Sequence, residues 1–551
     1  MKIKIKPYFF VMFWLVINLV QAGFTELTSD EGYYWLYAQH LQWGYYDHPP
    51  MLALLIKAGY YFAHNEFGVR AINVILNAWA ILIFFNLLPP GIRNRSYTYI
   101  FLLSLPLLNY LSFIVFPDGP LLFFCAAFLW CYKRFIAGND LIMTLLLGVI
   151  ISMMLYSKYH GVLVVAFTVL SNFKLLKNKN FYISLFIAAL LFIPHLLWQY
   201  NNDFITFRYH LYQREAASSS NRVFEYISQQ LVAIGPGLVF IPFVYKVKDQ
   251  FEKTLLYLIV GTFGFFLIVS INTFVHFHWT SIAIFPLLYL AIKYYHNKSR
   301  KIIMWLLIPF CIIIFLFRLQ LLFPLFPVNH VGVDYYHGRK IWAEEIHSLA
   351  GNSPVIFEND FRESSLYSFY SGKMGLALFS GRDRKTQYDL WNYEDSIQNK
   401  NALLIKNDSF PGSKLFHNNL GKRSYYFAMP NLHSFYNIPV HVNFPAEINS
   451  NHNCIINITI VNPRKQSIVF EDSKPGGETI LFCSIEGQNK IVEFDLITFN
   501  SLDVIAAGNT KAIVINLPTA TLGKGKYNVL FGFKNPPLQN SFNAVYNFVV
   551  R

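Results

Sequence analysis

Long apolar runs follow one another from residue 8 to about residue 323, and beyond Phe326 the pattern breaks into short apolar segments set among polar ones. A helix needs roughly 17 to 25 mostly apolar residues to cross a bilayer. Runs approaching that length fall near 8–23, 68–88, 97–115, 119–135, 141–156, 161–176, 181–198, 226–245, 254–272, 278–295 and 301–323. They predict a polytopic α-helical membrane protein with about eleven transmembrane helices. The first run is too long, and too far from a small-residue cleavage site, for a removed signal peptide, and reads as an anchor. Residues 327–435 mix helix-like and strand-like segments and predict an α/β domain, with short buried strands at 354–357 and 402–405. Residues 436–551 carry alternating strands separated by turn clusters such as Pro475-Gly476-Gly477, the pattern of an immunoglobulin-like β-sandwich.

Charge then orients the helices. Lys2, Lys4 and Lys6 place the N-terminus in the cytoplasm by the positive-inside rule. Alternating from there, the cytoplasmic loops carry Arg93 and Arg95; Lys133 and Arg134; Lys174, Lys177 and Lys179; Lys246, Lys248 and Lys253; and Lys298, Arg300 and Lys301. Every basic cluster falls on one side, and both C-terminal domains fall outside. Much of the net charge of +14 is spent on this topology, so it is no sign of nucleic-acid binding. A chain of 551 residues that is 54% hydrophobic and 14% charged is neither an ordinary soluble enzyme nor a disordered one.

The same alternation gathers the unusual polar residues on the outer face. Asp30 and Glu31 stand where the first helix leaves the membrane, followed by Asp47, His48 and the pair Pro49-Pro50. The other outer loops bring Asp118 between two prolines, Lys158 with Tyr159, Arg208, and the pair His276 and His278. A carboxylate near hydrocarbon costs several kcal/mol, on the order of 2.5 to 3.5 at mid-bilayer, so an acidic pair at a membrane exit points to chemistry at the interface. Each residue also has a bland reading: Asp118 as a helix-start acid, Lys158 as a snorkelling lysine, Arg208 as a solvated loop residue. The two histidines, two apart, lack the fuller ligand set of a metal site and read better as substrate contacts, with a divalent cation left open. The segment from Met51 to Ala63 reads as an amphipathic helix lying on the membrane.

Asp30-Glu31, Tyr45-Tyr46-Asp47-His48-Pro49-Pro50, Phe67-Gly68-Val69-Arg70, Pro117-Asp118-Gly119-Pro120 and Ser157-Lys158-Tyr159, in that order, resemble the GT-C superfamily of integral-membrane glycosyltransferases. The branch is that of the dolichyl-phosphate-mannose-protein mannosyltransferase-like proteins, relatives of the enzyme that adds 4-amino-4-deoxy-L-arabinose to lipid A. The resemblance covers roughly residues 10–300. It implies an inverting transfer of a sugar from a polyprenyl phosphate, in bacteria undecaprenyl phosphate, outside the cytoplasmic membrane. The acceptor would be lipid A, a polysaccharide or a protein, and membrane lipids would surround the site. It further implies Asp30, with Glu31 beside it, and Asp118 as catalytic acids, and puts Lys158 and Arg208 where basic residues could meet the donor phosphate; His48, Tyr159 and His278 read as further substrate contacts.

Such a transfer needs a base for the acceptor hydroxyl and positive charge on the departing phosphate. The competing reading, a transporter or flippase of a lipid-linked sugar, would place its polar site near the bilayer midplane on broken helices. Cys125, Cys131 and Cys311 read as packing residues in membrane spans. Cys454 and Cys483 lie in the outer β region, where a disulfide is permitted.

Overall fold

The computed structural model describes residues 6–138, 140–213, 221–296, 298, 300–325, 336–379, 385–417, 423–450, 452–470, 478–488, 490–500 and 502–551. The chain divides into two compact units, one reaching residue 325 and including 336–337, the other running from Gly338 to Arg551. The expected boundary at 326–327 and the turn Pro475-Gly476-Gly477 lie outside the described residues.

The first unit is helical. Helix α1 (Pro7–Phe24) opens on a proline, whose missing N–H costs nothing in a first turn. Helix α2 (Ser29–Gln39) is short and follows at once. Helix α3 (Met51–Phe62) begins directly after the two prolines, at the place expected for the interfacial helix, and α4 (Glu66–Leu87) starts from the cap of Asn65. The α3–α4 elbow needs glycine twice. A Cβ on Gly68 would lie 1.8 Å from the carbonyl oxygen of Ala63, and one on Gly59 2.2 Å from that of Gly68.

All eleven apolar runs contain helix, but their continuity differs from the expectation. Among the described residues six single helices are long and apolar enough to cross a membrane: Pro7–Phe24, Glu66–Leu87, Asp118–Gly138, Lys179–Asn201, Gln250–Val269 and Ile303–Leu322. Leu141–Ser157 and Gly161–Ser171 are shorter apolar helices. Proline explains most of the rest, since it lacks the N–H that would continue the ladder. The run at 97–115 breaks into Ser96–Leu103 and Pro106–Leu111. The run at 226–245 bends by 97° after Ile234, at Gly235-Pro236. The last but one opens as a 3-10 turn, Phe277–Ala283, before the helix Ile284–Tyr295.

The two ends of this unit are chemically distinct. Lys133 donates to the carbonyl of Leu87 at 3.1 Å and lies over the rings of Phe251 and Tyr289, while Lys293 pairs with Glu252. Loops carrying several of the predicted basic clusters thus converge. Asp118 sits fifteen residues before Lys133 on the same helix, roughly 22 Å away along the axis. Asp118 therefore belongs to the opposite end.

The second unit holds two sheet systems. The five-stranded sheet contains parallel strands Gly375–Leu378, Val355–Glu358 and Ala402–Lys406, extended antiparallel by Arg423–Met429 and Lys414–His417. Its first two strands are buried at every residue, as expected of parallel strands covered on both faces. The remaining strands form two larger sheets, one around Cys454–Val461 and one around Ile480–Gly487 and Gly525–Lys534, with a further two-stranded pair. Ile456, Ile458 and Ile460 from the first share one core with Leu481, Ile485 and Phe531 from the second, so the region is a β-sandwich. The disulfide considered between Cys454 and Cys483 is absent: both are free, and they lie in different sheets. Cys483 is buried mid-strand among Phe494 and Phe531, which makes it a packing residue.

Candidate active site

Helix α2 begins with Thr28-Ser-Asp30-Glu31, and those four residues form a capping box. The Thr28 hydroxyl accepts from the Glu31 N–H at 3.4 Å, and the Glu31 carboxylate accepts from the Thr28 N–H at 2.9 Å. The carboxylate is then saturated by others. Arg70 Nε and Nη2 donate to its two oxygens at 2.6 Å each, and the Val115 N–H donates at 3.0 Å. Arg70 spends its other donors on the carbonyls of Ala22, Thr25 and Glu26. Both side chains of the pair are fully buried. The expected pairing of Glu31 with Asp30 as catalytic acids is therefore not what the geometry builds. Glu31 clamps α1, α2, α4 and the 111–117 turn together, with no oxygen open to a substrate hydroxyl.

Asp30 has a different setting. One residue along a helix is a turn of about 100°, so its carboxylate leaves α2 on another face. It is half-buried and lies, with Glu31, within electrostatic reach of the Tyr110 hydroxyl.

Asp118 opens the helix Asp118–Gly138, and the following glycine lets that helix end approach α4 closely: a Cβ on Gly119 would lie 2.1 Å from Asn73 Oδ1. Its carboxylate does not cap the helix. It accepts from Lys158 Nζ at 2.7 Å and from the Ser281 hydroxyl at 2.9 Å, with His278 Nε2 at 3.7 Å. Lys158 sits at the break between Leu141–Ser157 and Gly161–Ser171, and His278 and Ser281 share the turn Phe277–Ala283. Three loops thus meet at one carboxylate; the sequence placed Asp118, Lys158 and His278 on one face, and the fold joins them. The ammonium also lies 5.7 Å from the Trp279 ring. Phe116 stacks on His278 at 4.9 Å, and His276 stacks on His278 at 5.4 Å. Among the described residues no three His, Cys, Asp or Glu side chains converge as a metal site.

The first loop supplies the next wall. Tyr34 meets Phe116 edge-on at 6.3 Å and His48 at 5.6 Å. Tyr37 donates to Asp47 at 2.6 Å; burial, with that carboxylate beside it, pushes the Tyr37 hydroxyl well above its ordinary pKa, so it stays a neutral donor. Tyr159 is engaged in scaffolding: its hydroxyl pairs with His195 Nε2 at 2.7 Å and accepts from Gln199 at 3.0 Å. His195 in turn holds the Trp43 carbonyl, and Thr206 the Tyr45 carbonyl, which fixes the first loop on the helices Lys179–Asn201 and Ile205–Arg208. Arg208 is exposed on the short helix Ile205–Arg208, with no ion pair among the described residues.

Beside this constellation lies an apolar cavity of about 880 Å³. Its walls come from the segments Pro106–Leu111, Arg222–Ile234, Phe277–Ala283 and the last long helix, and Tyr110, Tyr336 and Arg318 are its polar residues of note. Tyr110 and Phe277 join it to the reaction centre, Tyr110 lying 5.8 Å from Phe116 and 5.3 Å from Phe277. The sequence offered no signal for the Arg70 clamp on Glu31, the Ser281 bond or this cavity, because each joins segments distant in the chain.

Comparison with known proteins agrees with this architecture. Residues 47–198 match the family model of dolichyl-phosphate-mannose-protein mannosyltransferases. A lipid A galacturonosyltransferase, RgtD of Rhizobium johnstonii, is 24% identical over 379 residues, covering 65% of this chain and 80% of its own. ArnT from Cupriavidus metallidurans superposes in the apo state with a TM-score of 0.59 at 12% identity, and bound to undecaprenyl phosphate with 0.54 at 14%. Each superposition covers 76% of this chain and 97% of ArnT.

Proposed function

We propose, from the premise that this chain is a multi-pass membrane glycosyltransferase of the GT-C fold, that it takes its sugar from a polyprenyl phosphate and passes it to a lipid acceptor at the outer face of a bacterial cytoplasmic membrane. One observation carries the reading. A fully buried carboxylate, held by Lys158 and Ser281 from two other loops, stands at the helix ends beside an apolar cavity that suits a hydrocarbon chain. The undecaprenyl phosphate bound by ArnT supports the donor class, and the lipid A acted on by RgtD supports a lipid acceptor.

In the proposed reaction Asp30 takes the proton from the acceptor hydroxyl as its oxygen attacks the anomeric carbon. The bond from that carbon to the phosphate oxygen breaks, and the polyprenyl phosphate leaves with the electron pair, inverting the centre. A positioned carboxylate base contributes about 10²- to 10⁴-fold. Asp118, paired with Lys158, faces the positive charge that builds on the sugar ring, and the aromatic wall of Tyr34, Phe116 and His278 excludes water. A transporter would hold its polar groups near mid-membrane; here they stand at one end of the helices, where sugar and water meet.

The test is transfer by the purified full chain, supplied with undecaprenyl phosphate carrying galacturonic acid, 4-amino-4-deoxyarabinose or mannose, and with lipid A. Transfer of one sugar with inversion is the expected result. No turnover with any lipid-phosphate donor, or retention of configuration, would overturn the reading.

A further inference from the structure

Arg70 and Arg318 are both buried arginines in the helical unit, but only Arg70 has a carboxylate. Arg318 stands on the last long helix, four residues before its end at Leu322 and so roughly 6 Å below it. It is 7% exposed and lines the apolar cavity. Its Nη2 donates to Asn18 Oδ1 at 2.8 Å, to the Ser112 hydroxyl at 3.0 Å, and to the side-chain and backbone oxygens of Asn109 at 3.3 Å each. The Phe113 ring lies 4.9 Å from the guanidinium. Its Nη1 is buried with no hydrogen-bond partner, and among the described residues Arg318 has no ion pair.

A guanidinium keeps its proton under all ordinary conditions. Holding that charge in an apolar wall without an anion is costly, and intramembrane charges of this kind mark ligand paths. Four neutral oxygen acceptors from three residues hold Nη2 and leave Nη1 unserved. The missing partner is therefore an anion brought by a ligand, and a phosphate suits a planar fork best. The cavity walls add that this phosphate arrives on hydrocarbon. A linear polyprenyl chain is the hydrocarbon that the transferase reading supplies for such a cavity. The depth agrees, since a lipid phosphate lies near the helix ends.

We propose that Arg318 binds the phosphate of a single-chain lipid phosphate whose chain fills this cavity. The proposal rests on the transferase reading, in which that lipid is the sugar donor and, after transfer, the spent carrier. It moves the phosphate contact away from Lys158, which is tied to Asp118, and away from Arg208, which is exposed. Tyr110 and Tyr336, whose hydroxyls share a hydrogen bond, line this cavity, and Tyr110 lies within electrostatic reach of Asp30. A phosphate held by Arg318 would so leave its sugar directed toward the base.

Binding of undecaprenyl phosphate and of undecaprenol, the same chain with a neutral head, to the purified full chain in nanodiscs tests this. The wild type should prefer the phosphate by about ten-fold or more. Arg318→Gln should bring the two lipids near parity with undecaprenol binding unchanged. Full preference in a folded Arg318→Gln would overturn the proposal while leaving the donor reading intact. A wild type that binds both lipids equally would overturn both. Should Arg318→Gln fail to fold, as a melting curve will tell, Arg318→Lys carries the test: it keeps the charge and loses the fork, so the preference should fall several-fold, and an undiminished preference would count against the proposal. Inorganic phosphate alone should compete poorly; effective competition would show a free-anion site and overturn the assignment to a lipid.

Discussion

Glu31–Arg70 and Asp118–Lys158 are both buried ion pairs of the helical unit, 2.6 and 2.7 Å long, and both carboxylates are wholly shielded from solvent. They differ in what each leaves over. The Glu31 carboxylate accepts from two arginine nitrogens, one hydroxyl and two backbone N–H groups, and Arg70 returns the rest of its donors to backbone carbonyls. Nothing in that knot can engage a ligand without breaking the fold. Asp118 is held by two side chains from separate loops, and its lysine is an ammonium with three N–H donors on a flexible stem. The lesson is that burial and pairing alone do not mark a site. The number of hydrogen-bonding positions already taken, and whether backbone or side chains from separate loops take them, separates a clamp from a candidate site.

Breaking the clamp should have the largest effect. Arg70→Met leaves the Glu31 carboxylate buried and unpaired, which costs about 3 to 5 kcal/mol; thermal unfolding of the detergent-solubilised chain should show a large fall in melting temperature, or loss of folded protein. An Arg70→Met chain as stable as the wild type would dissolve the distinction between the two pairs. At the other pair, Asp118→Asn and Lys158→Met should each reduce turnover strongly, and their effects should not add. In a double-mutant cycle the coupling should reach roughly 0.5 to 3 kcal/mol, read as transition-state free energy from kcat/KM. Additive losses would mean that the two residues act separately.

Gly119→Ala sharpens the comparison from the backbone side. The new methyl would meet Asn73, and relieving it should shift the Asp118 helix start and cost about 1 to 3 kcal/mol, with turnover falling further than stability alone explains. Thr28→Ala removes only the hydroxyl half of the capping box. Its cost should be about 1 kcal/mol, visible in the melting temperature and nearly silent in kcat, because Arg70 and Val115 still hold Glu31.

The hydrophobic pattern disclosed where helices lie but not which are continuous, because a proline or Gly235-Pro236 inside an apolar run changes direction without changing hydropathy. Asp118, Lys158 and His278 were legible as members of one face, since alternation sorts loops by side; their meeting at a common carboxylate required the fold. Glu31 is the instructive miss. Thr28-x-x-Glu31 is a capping-box spacing that can be read from the sequence, and it already offers that acid a structural role, whereas Arg70, 39 positions away, cannot be assigned to it without coordinates. Tyr159, expected at the substrate, is spent on His195 and Gln199 for the same kind of reason. Arg318 lay unnoticed in an apolar run, where a single arginine resembles any snorkelling residue until its neighbours are known to lack a carboxylate.

The neighbouring acids Asp30 and Glu31 allow the account to be tested on one turn of one helix. Asp30→Asn and Glu31→Gln each remove one negative charge and keep size, and each variant is measured for kcat with a lipid-phosphate sugar donor and for melting temperature. The account predicts a crossed result: Asp30→Asn loses about 10²- to 10⁴-fold in turnover with its melting temperature kept, whereas Glu31→Gln melts well below the wild type and keeps most of the turnover of its folded fraction. The reverse pattern, a stable and inactive Glu31→Gln beside an active Asp30→Asn, would contradict it and make the clamped carboxylate the base.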